Sequence, residues 1–151
     1  MYNMEINKEL LDGLLVEAKE NPRLRQNFDL RTSSADTSQR MLNALQPQTE
    51  VSIHRHEKTA ETVICLVGKL EEIIYEEVNE YVHEATSCCD DVIRQKNFKE
   101  VSRQILSPAE GKFGIQIPAG AWHTINVIEP SVIFEAKDGA YNEFGNTTDK
   151  K

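Results

Sequence analysis

A chain of 151 residues, 39% hydrophobic and 28% charged, has the size and composition of one globular domain with a single core. Its net charge of -8 argues against a nucleic-acid binder, which needs a basic face to displace counterions from phosphates. No apolar run approaches the ~20 residues that cross a bilayer. The first residues lack the basic, apolar and small-residue succession of an export signal, so a cytoplasmic chain with no membrane contact is expected. The cysteines, Cys65, Cys88 and Cys89, are odd in number with two adjacent, and are expected as free thiols.

In chain order, Asn7 can cap a helix whose apolar positions Leu10, Leu11, Leu14, Leu15 and Ala18 recur at helical spacing, with Asn21-Pro22 to stop it. Residues 31–37 are rich in turn formers. After them the period shortens, and β-like runs are expected at 40–45, 51–56, 61–67, 70–75, 101–106, 114–117, 122–128 and 132–137. Turn signals such as Gln46-Pro47, Val67-Gly68, Ser107-Pro108, Pro118 to Gly120 and Glu129-Pro130 separate most of them. Many short strands after one helix predict a mainly β sandwich or barrel.

Between Glu71 and Asp91 the chain carries eight acidic residues and no Lys or Arg, which equals the whole charge excess and reads as a solvated face. Residues 78–99 are polar and weakly periodic, and read as an insertion between two strands. The expected organisation is therefore a helix and lead-in over 1–37, a barrel over 38–144 that contains the insertion, and a polar tail over 145–151.

The chemistry concentrates at four residues. His54 and His56 are two apart, and a strand's period of two points both imidazoles to one face. Glu61 opens the next apolar run, so a hairpin can return its carboxylate over the pair. His123 follows the turn at 117–120 and starts another strand. Three of the chain's four histidines take part. Three imidazoles and one carboxylate suit one divalent ion of Fe, Mn, Ni, Cu or Zn and suit Mg or Ca poorly. Four protein ligands leave two octahedral positions open. With a single Glu, the site also keeps about one positive charge, which would attract an anionic or chelating ligand.

These residues carry a family resemblance. His54-Arg55-His56, Glu61 and Gly68 resemble the first cupin motif, and Pro118-Ala119-Gly120-Ala121-Trp122-His123 resembles the core of the second. Two positions depart from the pattern: Gln48 stands where a glycine usually opens the first motif, and Val127 stands where an asparagine usually closes the second. Segments 21–25, 39–45 and 134–141 are similar to the WbuC family of RmlC-like cupin metalloproteins, with Ala140 in place of that family's proline. The resemblance implies a double-stranded β-helix, or jelly-roll barrel, with an N-terminal helix, from a family often associated with O-antigen or other surface-polysaccharide biosynthesis.

Three functional expectations result. The first is a metal-dependent enzyme, isomerase-like or epimerase-like, acting on a small anionic or sugar-derived molecule. The second is a non-catalytic, metal-dependent ligand-binding or regulatory module. The third is an Fe(II) dioxygenase. Arg40 and Lys137, both in segments that the resemblance picks out, are expected to bind ligand near the mouth of the site. Tyr141 and Lys137 are the candidates for proton transfer, although Tyr141 also reads as a packed aromatic. Trp122 is expected to pack rather than stack on a substrate. A homodimer is expected from the exposed sheet surface of such barrels.

Overall fold

The computed structural model describes residues 3–86, 89–139 and 146–148. Helix α1 (Lys8–Glu20) begins where expected, because the Asn7 side chain accepts a hydrogen bond from the Leu10 amide at 3.0 Å. It ends at Asn21, and Pro22 follows. Its apolar stripe packs on the outside of the sheet, where Leu14 and Ala18 are buried against Leu42, Ala44 and Val132.

Among the described residues eight antiparallel strands follow: β1 (Arg25–Asp29), β2 (Ser38–Leu45), β3 (His54–His56), β4 (Glu61–Thr86), β5 (Cys89–Leu106), β6 (Gly114–Ile117), β7 (Trp122–Asp138) and β8 (Asn146–Thr148). The first part of β4 lies between β6 and the end of β7, and its later part lies between β5 and the start of β7. The end of β7 also pairs with β2, its start pairs with β3, and β2 carries β1 on its other side. The result is the expected mainly β jelly-roll barrel with an N-terminal helix.

Two long strands replace two expected pairs. The runs at 61–67 and 70–75 belong to β4, and those at 122–128 and 132–137 belong to β7. The turn residues between them mark bends inside strands, with register shifts between Cys65 and Leu70. Gly68 has φ +92°, and a Cβ there would sit 2.2 Å from the Pro130 carbonyl oxygen. Only glycine allows the two bends to nest this closely. Ser131 closes the contact by accepting the Lys69 amide at 2.9 Å.

Residues 78–99 extend the β4–β5 hairpin, in register from Val78 opposite Asn97 to Thr86 opposite Cys89. Strand β1 has no counterpart among the expected runs. Its sequence is polar because Arg25 and Asn27 face inward to a polar cavity, while Phe28 packs with the helix cluster.

Strand parity divides the interior. In β2, the odd residues Gln39, Met41 and Asn43 face the barrel lumen, and the even residues Leu42 and Ala44 face α1. One end of the lumen is filled by Leu45, Val63, Leu70, Leu106, Ile117, Val127 and Ile133. Cys65, a free thiol, is buried in the same cluster, and burial raises its pKa to about 11. Cys88 and the side chain of Cys89 lie outside the described residues. No helix among the described residues is long and apolar enough to cross a membrane.

Candidate metal centre

His54 on β3 lies directly opposite His123 on β7 in the antiparallel ladder, and their rings are 4.3 Å apart between centroids. His56 shares the inward face, 5.4 Å from His54 and 5.6 Å from His123. The Gly120 amide donates to the His56 carbonyl at 2.8 Å, which ties the turn before His123 to the histidine strand. Glu61, at the start of β4, completes the group. One ligand atom from each of these four residues lies within 4.8 Å of all the others. His56, Glu61 and His123 are 8%, 5% and 3% exposed, so the cluster faces the lumen rather than bulk water.

Hydrogen bonds assign two of the imidazole tautomers. Nδ1 of His54 is 2.9 Å from the Ser52 carbonyl, and Nδ1 of His123 is 2.9 Å from the Ala121 carbonyl. A carbonyl only accepts, so each Nδ1 carries the proton and each neutral ring keeps its lone pair at Nε2. Glu61 Oε2 lies 2.8 Å from His56 Nε2 and 3.4 Å from His123 Nε2, yet this buried oxygen has no aligned hydrogen-bond donor among the described residues. A buried carboxylate oxygen this close to two imidazole nitrogens is met either by a ring proton or by a metal ion, and the set of three imidazoles and one carboxylate fits the metal ion.

Electrostatics keep these groups in their ligating forms. Burial, then His123, lowers the His54 pKa to about 4, so the ring is neutral near pH 7. Burial acts to raise the Glu61 pKa, but His123 and His56 outweigh it and hold the carboxyl down to about 2.

Beside the cluster lies a cavity of about 320 Å³. Its wall includes Arg25, Gln39, Asn43, Glu72, Glu135 and Lys137. Glu72 is 2% exposed, and burial, with Glu61 and Glu135 nearby, pushes its carboxyl well above the usual range. Burial and Glu61 push Glu135 up to about 8, against a hydrogen bond from Asn43. Burial lowers the Lys137 pKa, against the pull of Glu61 and other carboxylates.

The structure brings together His54, His56, Glu61 and His123, and adds Lys137 to the adjoining wall. Lys137 is opposite Glu61 in the ladder and donates to the Gly139 carbonyl at 3.0 Å. Arg40 is not brought to the site. As an even residue of β2 it leaves the lumen, and its guanidinium pairs with Asp36 at 2.6 Å. Tyr141 lies outside the described residues. Trp122 packs as expected, edge to face with Phe98 at 4.8 Å and beneath the Arg55 guanidinium at 4.7 Å.

Glu72 is the main residue that the sequence reading missed, since it falls in the acidic run read as solvated. The available signal was its spacing from Leu70 and Ile74, which places it on their inward strand face. Gln39, Asn43 and Arg25 join the wall for the same reason of strand parity.

A family model described as "Domain of unknown function (DUF6016)" matches residues 6–86. No curated protein matches the chain in sequence. Among solved structures, KdgF from Halomonas sp. has a TM-score of 0.52 at 12% identity, covering 82% of this chain and 87% of that one. Recombinant oxalate oxidase in complex with glycolate has a TM-score of 0.53 at 12% identity, covering 86% and 57%. CapF with the inhibitor 3-isopropenyl-tropolone has a TM-score of 0.49 at 15% identity, covering 84% and 32%. The chain thus spans about a third of the length of CapF and little more than half that of the oxalate oxidase. At these identities the likeness is one of fold, and the fold is the cupin barrel.

Proposed function

From the premise that the chain belongs to the DUF6016 family, a domain of unknown function, we propose that it is a metal-dependent cupin enzyme acting on a small anionic, sugar-derived molecule. In this reading His54, His56, Glu61 and His123 hold one divalent transition metal or zinc. The carrying observation is the buried Glu61 carboxylate among three imidazoles, with all four ligand atoms within 4.8 Å of one another. When bound, the ion supplies Lewis-acid polarisation of a ligand oxygen.

The chain's own residues supply the rest. Lys137, Arg25 and Arg23 give the cavity wall three cationic groups for an anionic ligand. In the metal-free chain the wall carboxyls of Glu135 and Glu72 hold protons at higher pH than ordinary carboxylates, which suits groups that exchange protons with a substrate. The resemblance to WbuC cupins supports a role in surface-polysaccharide chemistry; placement in the cytoplasm and assembly as a homodimer belong to the same proposal. Similarity in fold to KdgF and oxalate oxidase supports a small-molecule ligand without choosing it.

Purification without chelator, element analysis and screening of sugar acids and sugar nucleotides under air and under argon test the reading. Turnover that survives argon and ends on metal removal is expected. Turnover that requires both air and iron would replace the proposal with a dioxygenase, and metal-independent turnover would overturn it.

A further inference from the structure

Four buried acceptor oxygens in the cavity wall have no hydrogen-bond partner among the described residues: Gln39 Oε1, Asn43 Oδ1, Glu61 Oε2 and Glu72 Oε2. The metal accounts for Glu61. The other three have no such partner, and folded proteins leave few buried polar groups in that state. Gln39 and Asn43 share the inward face of β2, and Glu72 enters from β4. All three side chains line the cavity, but the oxygens themselves are buried, so a ligand hydroxyl meets them as the side chains turn toward it. What they lack is donors.

We propose that Gln39, Asn43 and Glu72 form a hydroxyl-binding subsite beside the metal, and that the ligand is a monosaccharide-sized polyhydroxy carboxylate. Its hydroxyls donate to the three oxygens, while its carboxylate is taken by the metal and by Arg25 and Lys137. The assignment of the carboxylate rests on the metal-binding reading above. The raised pKa of Glu72 suits this role, because a protonated carboxyl accepts from one hydroxyl, donates to another and does not repel an anion. Neutral amides and a protonated acid also offer a second cation little, which favours hydroxyls as the missing partners. The cavity of about 320 Å³ is at the lower end of the ~300–1,000 Å³ usual for small-molecule sites. It suits a single sugar acid better than a sugar nucleotide.

D-gluconate and hexanoate share chain length and charge and differ in hydroxyl groups, so their affinities for the metal-loaded full chain isolate the subsite. Calorimetric titration should show gluconate binding about tenfold or more tighter than hexanoate. Glu72→Met and Gln39→Met should each erase most of that preference while retaining the metal. Glu72→Met should melt no lower than the parent, because it replaces a donorless buried acid with an apolar side chain of similar shape. Equal affinities for the two probes, or a preference unchanged in both variants at full metal content, would mean that no ligand hydroxyl meets these oxygens and would overturn the proposal. Failure of the parent chain to bind metal would overturn the metal reading instead, and element analysis of the same samples separates the two.

Discussion

Gln48 has φ +74°, in the left-handed region that costs a residue with a Cβ about 1–2 kcal/mol. It stands where the cupin pattern usually has glycine, so the barrel keeps the bend while the sequence changes the residue. Gln48→Gly should therefore stabilise the chain by about 0.5–1 kcal/mol once glycine's larger entropy loss is counted, as measured by urea unfolding. The four clustered ligand residues were legible because a strand's period and short motif spacing are local properties. Glu72 was not, because its burial is decided by barrel closure and not by its acidic neighbours. Arg40 was placed on its segment's resemblance alone, and one position of strand parity sends it away from the lumen to Asp36.

At the scale of elements, glycine and proline signals were read as ends of strands when they are bends within β4 and β7. The distinction depends on two distant segments nesting, Gly68 against Pro130 and Ser131, which no local pattern contains. Gly68→Ala should destabilise the chain by roughly 2–4 kcal/mol, combining overpacking with a positive φ, and should lower the thermal midpoint sharply. The extended hairpin over 78–99 was illegible for another reason: its sequence is polar and weakly periodic, so it offers no alternation to read. There Glu77 pairs with Lys96 at 3.0 Å and Glu80 accepts from Asn97 at 3.1 Å. Helix α1 was legible to the residue because its cap and apolar stripe lie within its own sequence.

For the molecule as a whole, the cavity places opposing titrations in one lumen. Glu135 has its pKa raised from 4.5 to about 8, so the folded state binds more protons than the unfolded state across that range and stability falls as pH rises. His54 has its pKa lowered from 6.5 to about 4, which adds stability with rising pH only up to about 6.5. Glu72, whose carboxyl is also raised, acts in the same direction, so chelator-stripped protein should lose stability between pH 6.5 and 8, and Glu135→Gln should reduce that decline in thermal melts. Metal should raise the midpoint at each of these pH values, because ligation stabilises the folded state alone. The most direct test of the central claim is metal content per chain after reconstitution and desalting, compared between the parent and the His54→Ala and His56→Ala variants. The account predicts about one divalent ion per parent chain and loss of most of it in each variant; equal metal in parent and variants, or none in the parent, would contradict it.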